Sequence, residues 1–150
     1  GHTQGSVCYY WETEGLAFSG DSVMGQGSRP GGLPLIYFPH EYERTIERLL
    51  GLDIKILGLG HHYRTHLLPR DSVHFGPSVK TFLRASREIA DIIGDGMRRA
   101  KAERLGAGFH EVAQAATDLV ARRLPITKGE DGLPFPGGVE AFYGYWQLLK

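Results

Sequence analysis

The chain has 150 residues, enough for one domain with its own core. Its 17 basic and 17 acidic residues cancel to a net charge of zero, so nothing electrostatic favours nucleic acid or an anionic membrane as partner, and a small molecule or another protein is expected instead. One cysteine, Cys8, excludes an internal disulfide framework and a zinc-thiolate cluster; no apolar run reaches membrane-span length and no signal segment is visible, so reduced cytoplasm is the default expectation.

Residues 6–12 are rich in β-formers and nearly apolar on both faces, which predicts a strand covered on both sides with Cys8 as a small buried residue. A turn at Thr13-Glu14-Gly15 and a returning strand over Leu16–Ser19 complete a hairpin that delivers Asp21. Residues 22–39 then carry many glycines and prolines without periodicity, as in an irregular loop that is either the rim of a pocket or a plain connector.

Tyr42, Ile46, Leu49 and Leu50 share one helical face and Gly51 follows as a C-terminal cap, so residues 40–50 are predicted helical. A short strand over residues 54–58 leads to Gly60-His61. The order strand, strand, helix, strand indicates an α/β layered arrangement. Pro77 is placed to open a helix with Val79, Phe82, Leu83, Ile89 and Ile93 on its apolar stripe, and Gly94 and Gly96 are expected to kink or end it. Phe109, Val112, Ala113, Ala116 and Val120 form another stripe. Residues 125–138 read as a loop, after which Val139, Phe142, Tyr143 and Trp146 resume helical spacing.

His2, Asp21 and His61 each follow a glycine and each fall at the end of a predicted strand. Strand ends gather side chains along one sheet edge, where ligands commonly bind, and an adjacent glycine permits sharp turns and close approach. Alone, each is more often a turn or cap residue than a ligand; the joint pattern is what carries weight.

The segments Gly1-His2-Thr3-Gln4-Gly5, Gly20-Asp21 and Gly60-His61, in this order with two strands, a loop and a helix between them, resemble the C-terminal half of a metallo-β-lactamase-fold hydrolase of the glyoxalase II-like type. The resemblance covers about residues 1–66. It implies the C-terminal half of an αββα sandwich over residues 1–75, followed by a helical extension over residues 76–150. It also implies two divalent metal ions, zinc first with iron or manganese as options, with His2 a ligand of one, His61 of the other and Asp21 the bridging, catalytic carboxylate. Imidazole suits zinc, and one carboxylate places an anionic oxygen on each of two mutually repelling cations. In such a family the metals generate hydroxide near neutral pH and polarise the scissile bond, so no serine or cysteine nucleophile is needed.

Members that hydrolyse β-lactams place Cys or Ser where Asp21 stands, so Asp21 implies an ester, thioester, lactone or phosphoester substrate. Tyr63 and His66 are candidate substrate contacts, His62 is an alternative to His61, and His74 and His110 are expected at the surface or at helix ends. Arg84, Arg87, Arg98 and Arg99 suit either an anionic substrate or a solvated face. The family's His-x-His-x-Asp-His motif does not occur, which leaves one terminal ligand per metal plus the bridge. The expectation is therefore a piece of a metal-dependent hydrolase that is inactive as it stands, missing an N-terminal half that covers its sheet, and prone to self-association. The competing expectation is a degenerate, non-catalytic module that binds a protein partner.

Overall fold

A computed structural model describes residues 1–150. Strands β1 (Tyr9–Trp11) and β2 (Leu16–Gly20) form the expected hairpin, turning at Gly15, which sits at φ 63° and leaves no room for a Cβ against the carbonyl of Asp53. Helix α1 (Pro39–Leu50) follows the long loop, and strand β3 (Ile56–Tyr63) returns parallel to β2. Strand β4 (Asp71–Phe75) pairs antiparallel with β3 and completes a mixed sheet in the order β1-β2-β3-β4. Helices α2 (Pro77–Glu103), α3 (Phe109–Ala121) and α4 (Glu140–Gln147) complete a mixed α/β fold. No helix is long and apolar enough to cross a membrane.

The sheet has one covered face and one open face. Ala17, Ser19, Leu57 and His74 alternate inward and are buried. Their neighbours Tyr9, Trp11, Phe18 and Phe75 point outward, each more than half exposed. The register joins them: Tyr9 lies opposite Phe18, Phe18 opposite Gly58, and Ile56 opposite Phe75. The strand expected to be covered on both sides is therefore open on one, because its aromatic residues satisfy β-propensity without any second layer above them. Cys8 is half-buried, its thiol 3.9 Å from the carbonyl of Ser19.

Two further expectations are corrected by packing. Helix α2 does not end at Gly94 or Gly96 but continues unbroken, and these glycines let other helices approach: a Cβ at Gly94 would meet the Tyr145 ring at 3.2 Å, and one at Gly96 would meet Val120 at 2.9 Å. His74 is buried rather than superficial, stacked on Phe82 of α2 with ring centroids 4.4 Å apart. Gly51 caps the C-terminus of α1 as expected, in a right-handed conformation at φ −78°.

The glycine-rich segment after β2 is no surface strap. Val23, Met24, Leu33 and Ile36 are buried in the core, and Gln26 is tied at both levels, its backbone N–H donating to Arg64 and its side-chain amide to the carbonyl of Pro125. A 29-residue apolar cluster extends from Ala17 to Tyr145, so the helical residues 76–150 share one core with the sheet.

Candidate functional site

The opening run folds as a turn. Thr3 accepts the backbone N–H of Ser6, while the Ser6 hydroxyl accepts that of Thr3, and the carbonyl of Gly1 receives the N–H of Phe38. Gly1 itself is packed so tightly on Tyr42 that an added Cβ would stand 2.3 Å from the tyrosine Cβ. His2 is thereby held with Nδ1 2.8 Å from the carbonyl oxygen of Leu35 and its ring 5.7 Å from that of Tyr37. A carbonyl only accepts, so Nδ1 carries a proton, and in the neutral ring the lone pair is on Nε2. This is the tautomer a metal-ligating imidazole needs, fixed by the kind of backbone partner such ligands use.

Asp21 follows the end of β2, where Gly20 adopts φ 52° and turns the chain. Its carboxylate lies beside β3: Oδ1 accepts the Tyr63 hydroxyl at 2.6 Å, and Oδ2 is 3.5 Å from His61 Nε2. Gly60 makes room for it, since a Cβ there would sit 2.2 Å from Oδ1. Both ladders of β3 lose regular register in this stretch, between Phe18 and Gly20 on one side and between Gly58 and Tyr63 on the other. Such bulges re-aim side chains, and here the irregular stretch carries His61.

His61 thus lies inside β3 rather than after it. Of the adjacent histidines it is the one beside Asp21; the exposed His62 offers its carbonyl to Arg70 Nε at 3.1 Å. The side chain of Tyr63 is buried, its ring edge-on to His61 with centroids 5.8 Å apart. Burial first, and the bond to Asp21 second, raise its phenol well above the usual tyrosine range, so it remains a donor at any ordinary pH. His66 turns away to Glu88 of α2, with Nε2 3.1 Å from a carboxylate oxygen. Arg87 binds Glu43 and Glu47, while the exposed Arg98 and Arg99 lie 3.8 and 4.0 Å from Asp95.

The structure therefore brings Asp21, His61 and Tyr63 together, and fixes His2 separately against Leu35. No group of three or more His, Cys, Asp or Glu side chains is placed to hold a metal ion. The Tyr63 clamp on Asp21 had no signal in the sequence, because only the parallel pairing of β2 with β3 makes these residues neighbours. Comparison with models of known protein families, with curated proteins and with solved structures finds no match to this chain.

Proposed function

We propose that this chain carries part of the dinuclear metal site of a metallo-β-lactamase-fold hydrolase, glyoxalase II-like in type, that cleaves an ester, thioester, lactone or phosphoester bond. The observation that carries the proposal is the held carboxylate of Asp21, with His61 Nε2 on one oxygen and the Tyr63 hydroxyl on the other. His2 adds an imidazole whose Nε2 lone pair is set free by the Leu35 carbonyl. When bound, two divalent ions such as zinc would supply water activation and polarisation of the scissile bond. His2 would hold one ion, His61 the other, and Asp21 would face both.

These donors suit the group but do not fill its coordination, since zinc sites ordinarily take at least three protein ligands. The proposal therefore requires further ligands from residues outside this sequence, as the absent His-x-His-x-Asp-His motif implies. The open aromatic sheet face agrees with it, because a sandwich needs a second sheet on that side. Tyr63 acts as a positioning residue: it spends one lone pair of Asp21 Oδ1 and fixes the plane of the carboxylate.

A zinc titration of the 150-residue chain, followed through the imidazole resonances of all seven histidines, tests this reading. His2 and His61 should respond at lower metal concentration than His40, His62 and His110. Asp21→Asn should abolish the early response of His61 and leave the fold intact. Equal response of all exposed histidines, indifferent to Asp21→Asn, would sink the metal site. A second reading, a non-catalytic module that binds a protein through its sheet, is favoured by the same exposed row of Tyr9, Trp11, Phe18 and Phe75.

A further inference from the structure

The middle of helix α4 packs on the chain that leads into α1, and Gly144 is what permits it: a Cβ there would stand 2.2 Å from the carbonyl oxygen of Ile36. The approach sets Tyr143 edge-on to Tyr37, with ring centroids 6.3 Å apart at 66°, and Tyr37 in turn lies against His2. Between them opens a cavity of about 530 Å³, walled by His2, Tyr37, Phe38, Pro39, Tyr143 and Leu148. That volume is within the range of small-molecule sites, which are mostly apolar with few polar groups. His2 is the one residue common to this wall and to the candidate ligand set.

No lysine or arginine lines the cavity; its chargeable groups are His2, His40 and Glu41, the last turned to Arg44 at 3.3 Å. In the metal-free chain a carboxylate or phosphate entering among these rings would lose its water and meet no lysine or arginine. An aromatic ring, by contrast, meets tyrosines already disposed for edge-to-face contact.

We propose that this cavity takes an uncharged aromatic group of the substrate, next to the bond to be cleaved. The assignment of that group to a substrate rests on the hydrolase reading above; the binding itself does not. The substrate class is then an aryl-bearing ester, thioester or lactone whose uncharged ring enters here.

The test uses N-benzylacetamide, benzoate and acetamide as probes against the intact chain, with the backbone amides of Tyr143 and Gly144 as reporters. N-benzylacetamide should shift both amides saturably, at about millimolar concentration as fits so small a ligand. Benzoate should bind about tenfold more weakly, acetamide should not bind, and the half-exposed Tyr143→Ser should weaken N-benzylacetamide several-fold. Leu148→Trp, at the exposed end of α4, should block the cavity without touching the core. Benzoate binding as tightly as the neutral probe overturns the proposal, as does an unmoved Gly144 amide or indifference to both variants. Because none of these readouts needs metal or turnover, failure here is distinct from failure of the zinc titration.

Discussion

Tyr63 and Asp21, 42 residues apart in the chain, meet in a 2.6 Å hydrogen bond in which a buried phenol donates to a carboxylate one-third exposed to solvent. The pair joins the end of β2 to the end of β3, the two parallel strands of the sheet. Tyr63→Phe keeps the ring and removes the donor. Hydrogen bonds to charged groups contribute roughly 1.5–3 kcal/mol when buried, and water can partly replace this one, so a loss of about 1 kcal/mol is expected in urea unfolding. The zinc response of His61 should weaken at the same time, which a merely structural tyrosine would not cause.

Gly60→Ala attacks the same carboxylate from the other side. The new methyl would stand 2.2 Å from Asp21 Oδ1 and 3.0 Å from the backbone of Gly20, so Asp21 must leave Tyr63. Overpacking of this kind costs about 1–3 kcal/mol. Gly5→Ala, where nothing lies within 4 Å of the added carbon, is the control and should stay within about 0.5 kcal/mol. Equal stability of both variants in chemical denaturation would show that the Gly60 contact is not limiting.

These two residues mark where sequence reasoning reached and where it stopped. The hairpin, α1, the helices after Pro77 and the neighbourhood of Asp21 with His61 were legible, because period and punctuation are local signals. Strand β4 was not, since Asp71-Ser72-Val73-His74-Phe75 offers little apolar content and is a strand only by pairing with β3. The unbroken course of α2 was hidden for the opposite reason: a glycine's local cost is visible in sequence, while the Tyr145 and Val120 side chains that require Gly94 and Gly96 come from distant segments. His2 was legible as a candidate; its tautomer depends on Leu35, 33 residues away.

That same helix contact supplies a further prediction. Gly96 gives up about 1 kcal/mol of helix propensity relative to alanine, yet the site leaves only 2.9 Å between an added Cβ and the fully buried Val120. Gly96→Leu gains the propensity and must push α3 away from α2. The packing loss should win, and unfolding should show a net destabilisation of about 2 kcal/mol. A variant as stable as the parent would mean that α3 is free to shift.

His74 gives a pH dependence. Burial is the chief cause that lowers its imidazole below the ordinary value of 6.5, and Asp71 only partly opposes it. The ring has no partner for its buried Nε2 and is stacked on Phe82. The unfolded chain therefore takes the proton first as pH falls. Its contribution to stability is complete above pH 6.5 and is lost as pH drops through the lower folded value. His74→Phe, which retains the stack, should flatten the decline in urea midpoint between about pH 7 and 5. A parallel decline in both proteins would assign it to other groups.

The open face of the sheet carries the last prediction. Tyr9 and Trp11 project from β1, a three-residue strand at the sheet edge, and are 70% and 61% exposed, with Phe18 and Phe75 continuing the row. A short edge strand usually protects against association by carrying charge, and this one carries rings. Contiguous apolar surface of this kind marks an interface or a liability, whichever partner is at hand. In purified protein the partner at hand is a second copy. Sedimentation should therefore show mass that rises with concentration, and Tyr9→Lys with Trp11→Lys should return the chain to a monomer with an unchanged far-UV spectrum. Monomeric behaviour of the parent chain at every concentration would show that this face is no interface between copies.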